Sequence, residues 1–125
     1  MHDKGILHND LHGKNILLRP TKQPCIIDFG KATLASHPLI YNVCRDKSKR
    51  EKYNKFHPHL AYELRNVPNT PQSFLTDVYS LGYNVKNIGR FEKIEMLVQL
   101  SRRMCHENPM ERYSLDDSSV FLLKD

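Results

Sequence analysis

The chain has 125 residues, with 19 Lys and Arg against 14 Asp and Glu, and a formal charge of +5. That length allows one small domain, or part of a larger one, with room for a modest helical core. The charge excess is small, no basic stripe is interleaved with aromatics as a nucleic-acid surface would be, and no apolar run approaches membrane-spanning length.

Three cysteines, Cys25, Cys44 and Cys105, form an odd set without paired spacing. They point to reduced thiols and an intracellular setting, cytoplasmic or nuclear, with cytoplasmic expected. Met1-His2-Asp3-Lys4 is polar and carries no signal-peptide apolar region. No Cys/His spacing fits zinc, so His57-Pro58-His59 reads as a solvated loop.

In chain order, the first chemically distinctive stretch is His8-Asn9-Asp10-Leu11-His12-Gly13-Lys14-Asn15. The apolar runs Ile16 to Leu18 and Cys25 to Ile27 have the length and composition of short strands, and Pro20 and Pro24 mark the turn between them. Such a hairpin brings Asp10, Asn15 and Asp28 to one end. Two carboxylates and an amide oxygen there supply hard oxygen ligands for magnesium, with one carboxylate left to act as a base.

Residues 31–59 are long and mostly polar, and the basic run from Arg45 to Lys55 reads as a flexible, solvated loop. After Pro68 and Pro71, Thr76 or Asp77 is expected to cap a helix whose apolar face is Val78, Leu81, Val85 and Ile88. A second amphipathic helix is expected from Phe91 to Cys105, carrying Ile94, Leu97, Val98, Ser101 and Met104. Ser114 to Asp117 reads as a capping box for a short last helix with Val120, Leu122 and Leu123 as its apolar positions.

These motifs, taken together, resemble the protein kinase family. The loop around Asp10 resembles its catalytic loop, and Asp28-Phe29-Gly30 matches its metal-binding signature in full. Leu60-Ala61-Tyr62-Glu63 resembles the Ala-Pro-Glu that closes the activation segment, with Tyr62 in place of proline. Thr76-Asp77-Val78-Tyr79-Ser80-Leu81-Gly82 resembles the opening of the family's central helix.

The resemblance runs over the whole chain as one unit, residues 1–125, and implies a mostly α fold with a small β-hairpin (α+β), the large C-terminal lobe of a kinase-like domain. It implies ATP-dependent phosphoryl transfer to a protein Ser/Thr or Tyr hydroxyl, with ATP and Mg2+ as cofactors and a protein substrate. By resemblance Asp10 is the base, His12 and Lys14 lie near the transferred phosphate, and Asn15 and Asp28 hold magnesium. Leu17 and Phe29 match apolar positions at the nucleotide site and beneath it. Asp77 is expected to anchor the catalytic-loop backbone, and Glu63 to form a buried ion pair with Arg112.

Besides Tyr62, the chain departs from the family in four respects. Asn9 stands where an arginine often reads a phosphate on the activation segment, for which Thr33, Ser36, Ser48 and Tyr53 are the available hydroxyls. The stretch between Gly82 and Arg112 is too short for the helix and loop that usually help dock protein substrates. The residues two and four positions after the base are His12 and Lys14, which leaves the acceptor type open. No glycine-rich phosphate loop or strand lysine occurs among the 125 residues, so this chain alone is expected to be inactive. Two other readings stand beside the first. One is a kinase-like binding module without catalysis. The other is a small-molecule phosphotransferase such as an aminoglycoside or choline kinase, where Asn9 is at home but Asp-Val-Tyr-Ser-x-Gly is lacking.

Overall fold

A computed structural model describes residues 1–41, 43 and 45–123, so Cys44 lies outside the described residues. The fold is mostly α with small antiparallel sheets. Among the described residues there are three two-stranded sheets: β1 (Ile6–Leu7) with β4 (Thr33–Leu34), β2 (Ile16–Leu18) with β3 (Pro24–Ile26), and β5 (Ile40–Tyr41) with β6 (Thr70–Pro71). The β2–β3 hairpin pairs Ile16 with Ile26 and Leu17 with Cys25, close to the sequence expectation. Its turn closes through Lys22, whose φ of 66° places it in the left-handed region and whose amide donates to the Arg19 carbonyl.

The helices are α1 (Lys47–Phe56), α2 (Tyr62–Asn66), α3 (Phe74–Phe91), α4 (Glu95–Met104) and α5 (Leu115–Leu122). None of those described is long and apolar enough to cross a membrane.

Five local expectations are corrected. The basic run is a helix, not a flexible loop. Asp46 caps α1 by accepting the Lys49 amide, Lys47 and Glu51 face each other one turn apart at 4.0 Å, and Lys, Arg and Glu are good helix formers. No residue of α1 is buried, so it is a solvated helix rather than a core element.

α3 begins at Phe74, three residues before Asp77. Its cap is Ser73, which closes a capping box with Thr76 and so fixes the start of the helix upstream of Asp77.

The expected helix from Phe91 begins only at Glu95. Phe91 ends α3, Lys93 adopts the left-handed conformation with φ 56°, and the Ile94 amide reaches back to the Gly89 carbonyl. This closure turns the chain so that α4 returns antiparallel along α3.

In α5 the capping box of Ser114 and Asp117 is as expected, but Val120, Leu122 and Leu123 are exposed. Ser118 is buried instead, and Phe121 packs edge-on to Tyr113.

Two core clusters hold these pieces. Val78, Leu100 and Met104 pack with Leu81, Val85, Tyr113 and Phe121. Leu60, Ala61 and Leu64 pack with Tyr79. Ile88, expected on the apolar face, is exposed.

The seam between α3 and α4 depends on two glycines seven residues apart on one face of α3. A Cβ on Gly82 would lie 2.5 Å from the Met104 Cβ, and one on Gly89 would lie 3.0 Å from the Val98 backbone nitrogen. Only hydrogen fits at these crossings, so the helices approach more closely than any larger residue allows.

Candidate functional site

The segment from His8 to Asn15 is held from three directions. From below, the buried carboxylate of Asp77 accepts the His8 amide at 2.7 Å and the Asn9 amide at 2.9 Å, and it also meets His2 Nε2 at 2.9 Å. From the hairpin side, His8 Nε2 reaches the Ile27 carbonyl at 2.9 Å, and the Ile27 amide donates to the Asn15 carbonyl at 2.9 Å. From within, the Asp10 amide donates to His8 Nδ1 at 3.2 Å. The His8 tautomer with hydrogen on Nε2 satisfies both of its contacts.

This network brings Asp10, His12 and Asn15 together. Asn15 is buried, and its Nδ2 donates to the Asp10 carbonyl at 2.8 Å and to Asp10 Oδ2 at 3.3 Å. The same amide nitrogen lies 3.1 Å from His12 Nε2, while the Lys14 amide lies 3.2 Å from His12 Nδ1. A neutral imidazole has one acceptor nitrogen, so only one of these two contacts is a hydrogen bond at a time. The short Gly13–Asn15 turn of 3-10 helix, capped by His12, sets this geometry.

Asp28 follows Ile27 directly, so the two hydrogen bonds on Ile27 fix where it emerges. It is exposed, has φ 60°, and turns Oδ1 back to accept the Gly30 amide at 3.2 Å. One amide oxygen and one carboxylate are a donor set that suits Mg2+, which completes its shell with waters and phosphate oxygens. Among the described residues no group of three or more His, Cys, Asp or Glu side chains is arranged to hold a metal ion.

Other expected site residues sit further out. Lys14 is exposed on the turn. Leu17 and Phe29 are each 48% exposed, with Phe29 edge-on to the His8 ring at 4.9 Å.

Sequence reasoning missed two neighbours of Asp10. Its Oδ1 faces His12 Nε2 at 3.6 Å, His59 Nε2 at 3.7 Å and Lys31 Nζ at 3.8 Å. His59 is therefore not part of a solvated loop. It is buried, and burial together with the adjacent His12 pushes its pKa down to about 4. The available signals were the position of Lys31 immediately after Asp28-Phe29-Gly30 and that of His59 just before the residues that begin α2.

The expected ion pair is present. Arg112 donates from Nη1 and Nη2 to the two Glu63 oxygens at 3.0 and 2.9 Å, with both residues buried. Arg112 also donates to the Leu75 and His106 carbonyls and stacks over Tyr79. Beside Tyr79, burial pushes the Cys105 thiol up to about 11, and Cys105 and Cys25 are both free.

A family model described as the phosphotransferase enzyme family (APH) matches residues 1–36. The matched stretch contains the loop, the hairpin and Asp28, so over these residues the chain is similar to kinase-like phosphotransferases, which use ATP. No curated protein matches the chain closely enough to count as a relative.

Proposed function

We propose that residues 1–125 form one kinase-like unit, the large C-terminal lobe of a protein kinase that transfers phosphate from ATP to a protein hydroxyl inside the cell. The observation that carries this reading is the grip of Asp77 on the His8 and Asn9 amides. It is the role the protein kinase resemblance assigns to that aspartate, at the head of an Asp-Val-Tyr-Ser-x-Gly helix. The bidentate Glu63–Arg112 pair supports the same reading.

In this reading Asp10 orients the acceptor hydroxyl and takes its proton. Asn15 and Asp28 would hold Mg2+, which when bound neutralises and aligns the nucleotide phosphates. His12 lies beside Asp10, where the transferred phosphate would pass, and Lys14 stands at the rim. Leu17 would present an apolar surface to the nucleotide base.

A second reading, a small-molecule phosphotransferase, is favoured by the family match over residues 1–36 and by Asn9. The test joins the chain to a kinase small lobe that carries a glycine-rich loop and a strand lysine, and supplies it with labelled ATP and Mg2+ and with either mixed protein acceptors or choline and an aminoglycoside. Label is expected on protein, and Asp10→Asn and Asp28→Ala are expected to abolish it. Transfer to a small molecule alone would overturn the protein-kinase reading. The 125-residue chain by itself is expected to give no incorporation, because positioning and charge neutralisation by a phosphate loop and lysine are missing from it.

A further inference from the structure

We propose that His59 is a positioning residue for Asp10, its Nε2–H facing carboxylate Oδ1 and fixing the orientation of that carboxylate. The proposal rests on the reading of Asp10 as the base.

The argument begins with the two oxygens of Asp10. Oδ2 is tethered by Asn15, so the orientation of the carboxylate depends on what faces Oδ1. Of the three groups there, Lys31 has a side chain 67% exposed, whereas that of His59 is 10% exposed. A solvated lysine wanders, and a buried ring does not.

His59 is also anchored to the same helix, α3, as the loop that leads into Asp10. Its carbonyl accepts the Ser80 hydroxyl at 2.6 Å, and Ser80 lies one turn along α3 from Asp77, which holds the loop leading into Asp10. Residues three apart share a helix face, so a single rigid helix sets the spacing between Asp10 and His59. The His59 ring is further wedged edge-on against His12 at 5.3 Å and tilted against His57 at 6.1 Å.

With its pKa lowered to about 4, the ring is neutral near pH 7. A neutral N–H orients a carboxylate while withholding the full positive charge that would make it a poorer base. At 3.7 Å the contact is longer than a hydrogen bond, and it closes when an acceptor is bound, as catalytic contacts in unliganded sites do. His12 and His59 both line a groove of about 460 Å³ whose other walls include Ile16, Tyr83, Asn84 and Phe91. The two imidazoles therefore stand between that groove and Asp10.

Two measurements test this. Long-range 1H–15N spectra of the chain at pH 7 should show His59 as the Nε2–H tautomer. Asp10→Asn should shift that nitrogen while leaving the exposed His37 ring unmoved. An Nδ1–H tautomer, or no response to Asp10→Asn, would overturn the proposal.

In phosphate transfer by the chain joined to a kinase small lobe, His59→Gln keeps an N–H near the Nε2 position and should hold kcat within about threefold. His59→Phe fills the space without a donor and should lower kcat about 10- to 100-fold with KM for ATP unchanged, the range seen when an orienting partner is lost. Equal activity in the Gln and Phe variants, with Asp10→Asn inactive, sinks only the role of His59. Full activity in Asp10→Asn sinks the reading of Asp10 as base and this proposal with it.

Discussion

The carboxylate of Asp77 accepts the backbone amide of Asn9 at 2.9 Å across 68 residues of sequence. It accepts the His8 amide as well, and it is 1% exposed. A buried carboxylate with several donors is fully compensated, whereas the two amides without it would be buried and unpaired. The loop before Asp10 therefore depends on one side chain of α3 for its shape.

Asp77→Ala is accordingly expected to lower stability by about 3 kcal/mol, since each stranded buried donor costs about 1–3 kcal/mol. Asp77→Asn keeps one acceptor oxygen and should lose roughly half as much. Urea denaturation of the three proteins measures this, and a loss under about 1 kcal/mol for Asp77→Ala would show that the loop is held by something else.

Much of this site is legible in the sequence because its parts are local or marked by type. The hairpin follows from two apolar runs around a proline turn, and Asp10, Asn15 and Asp28 stand at its end by spacing alone. Glu63 and Arg112 are charged residues in an otherwise recognisable setting. His59 is not legible in that way, because its burial comes from the Ser80 bond and from ring packing that only the tertiary fold assembles. The break at residues 92–94 was hidden for a related reason. Lys93 is an ordinary helix former, and it turns left-handed because the close approach at Gly82 and Gly89 favours an antiparallel return. Glycines seven residues apart on one helix face were the available sign. The helix at residues 47–56 was hidden by its own charge, which resembles that of a solvated loop.

The Glu63–Arg112 pair should be structural. Glu63→Ala is expected to lose about 3–5 kcal/mol, the range for removing one partner of a buried pair. The lower end is favoured here because Arg112 keeps its bonds to the Leu75 and His106 carbonyls. A denaturation midpoint corresponding to less than about 1 kcal/mol would equate the pair with an exposed one.

Burial of His59 makes stability depend on pH. Unfolded, the ring takes up a proton near 6.5, and folded it does so only near 4. Between these values the unfolded state binds more protons, so stability rises with pH across the window and is lost as pH falls through it. After discounting for solvent at the edge of the ring, the effect is about 1–2 kcal/mol. Between pH 7 and pH 4.5 the parent protein should therefore lose about that much more stability than His59→Gln, which has nothing to titrate there. Parallel declines in the two proteins would mean that the ring is solvated.

Asn9 gives the last prediction. It has φ 69°, a left-handed conformation that asparagine tolerates better than most residues. Its Nδ2 donates to the Lys31 carbonyl at 2.9 Å and to Thr33 Oγ1 at 3.0 Å. The segment after Asp28-Phe29-Gly30 is thus docked on the loop by a neutral amide, beside the pairing of Leu7 with Thr33. A phosphate reader at this position would need a positive charge, and Asn9 has none. Order in the segment should therefore not wait on phosphorylation. Asn9→Ala should lower stability by about 1–2 kcal/mol through lost hydrogen bonds and the less favourable left-handed backbone. Asn9→Asp should be worse, because a carboxylate would then face the Lys31 carbonyl oxygen. With a kinase small lobe joined to the chain, Ser48→Ala and Tyr53→Phe should leave transfer within about twofold, while Asp10→Asn removes it, as loss of a general base requires. Ser48→Ala or Tyr53→Phe proteins as inactive as Asp10→Asn would overturn this account, and so would an Asn9→Asp protein as stable as the parent.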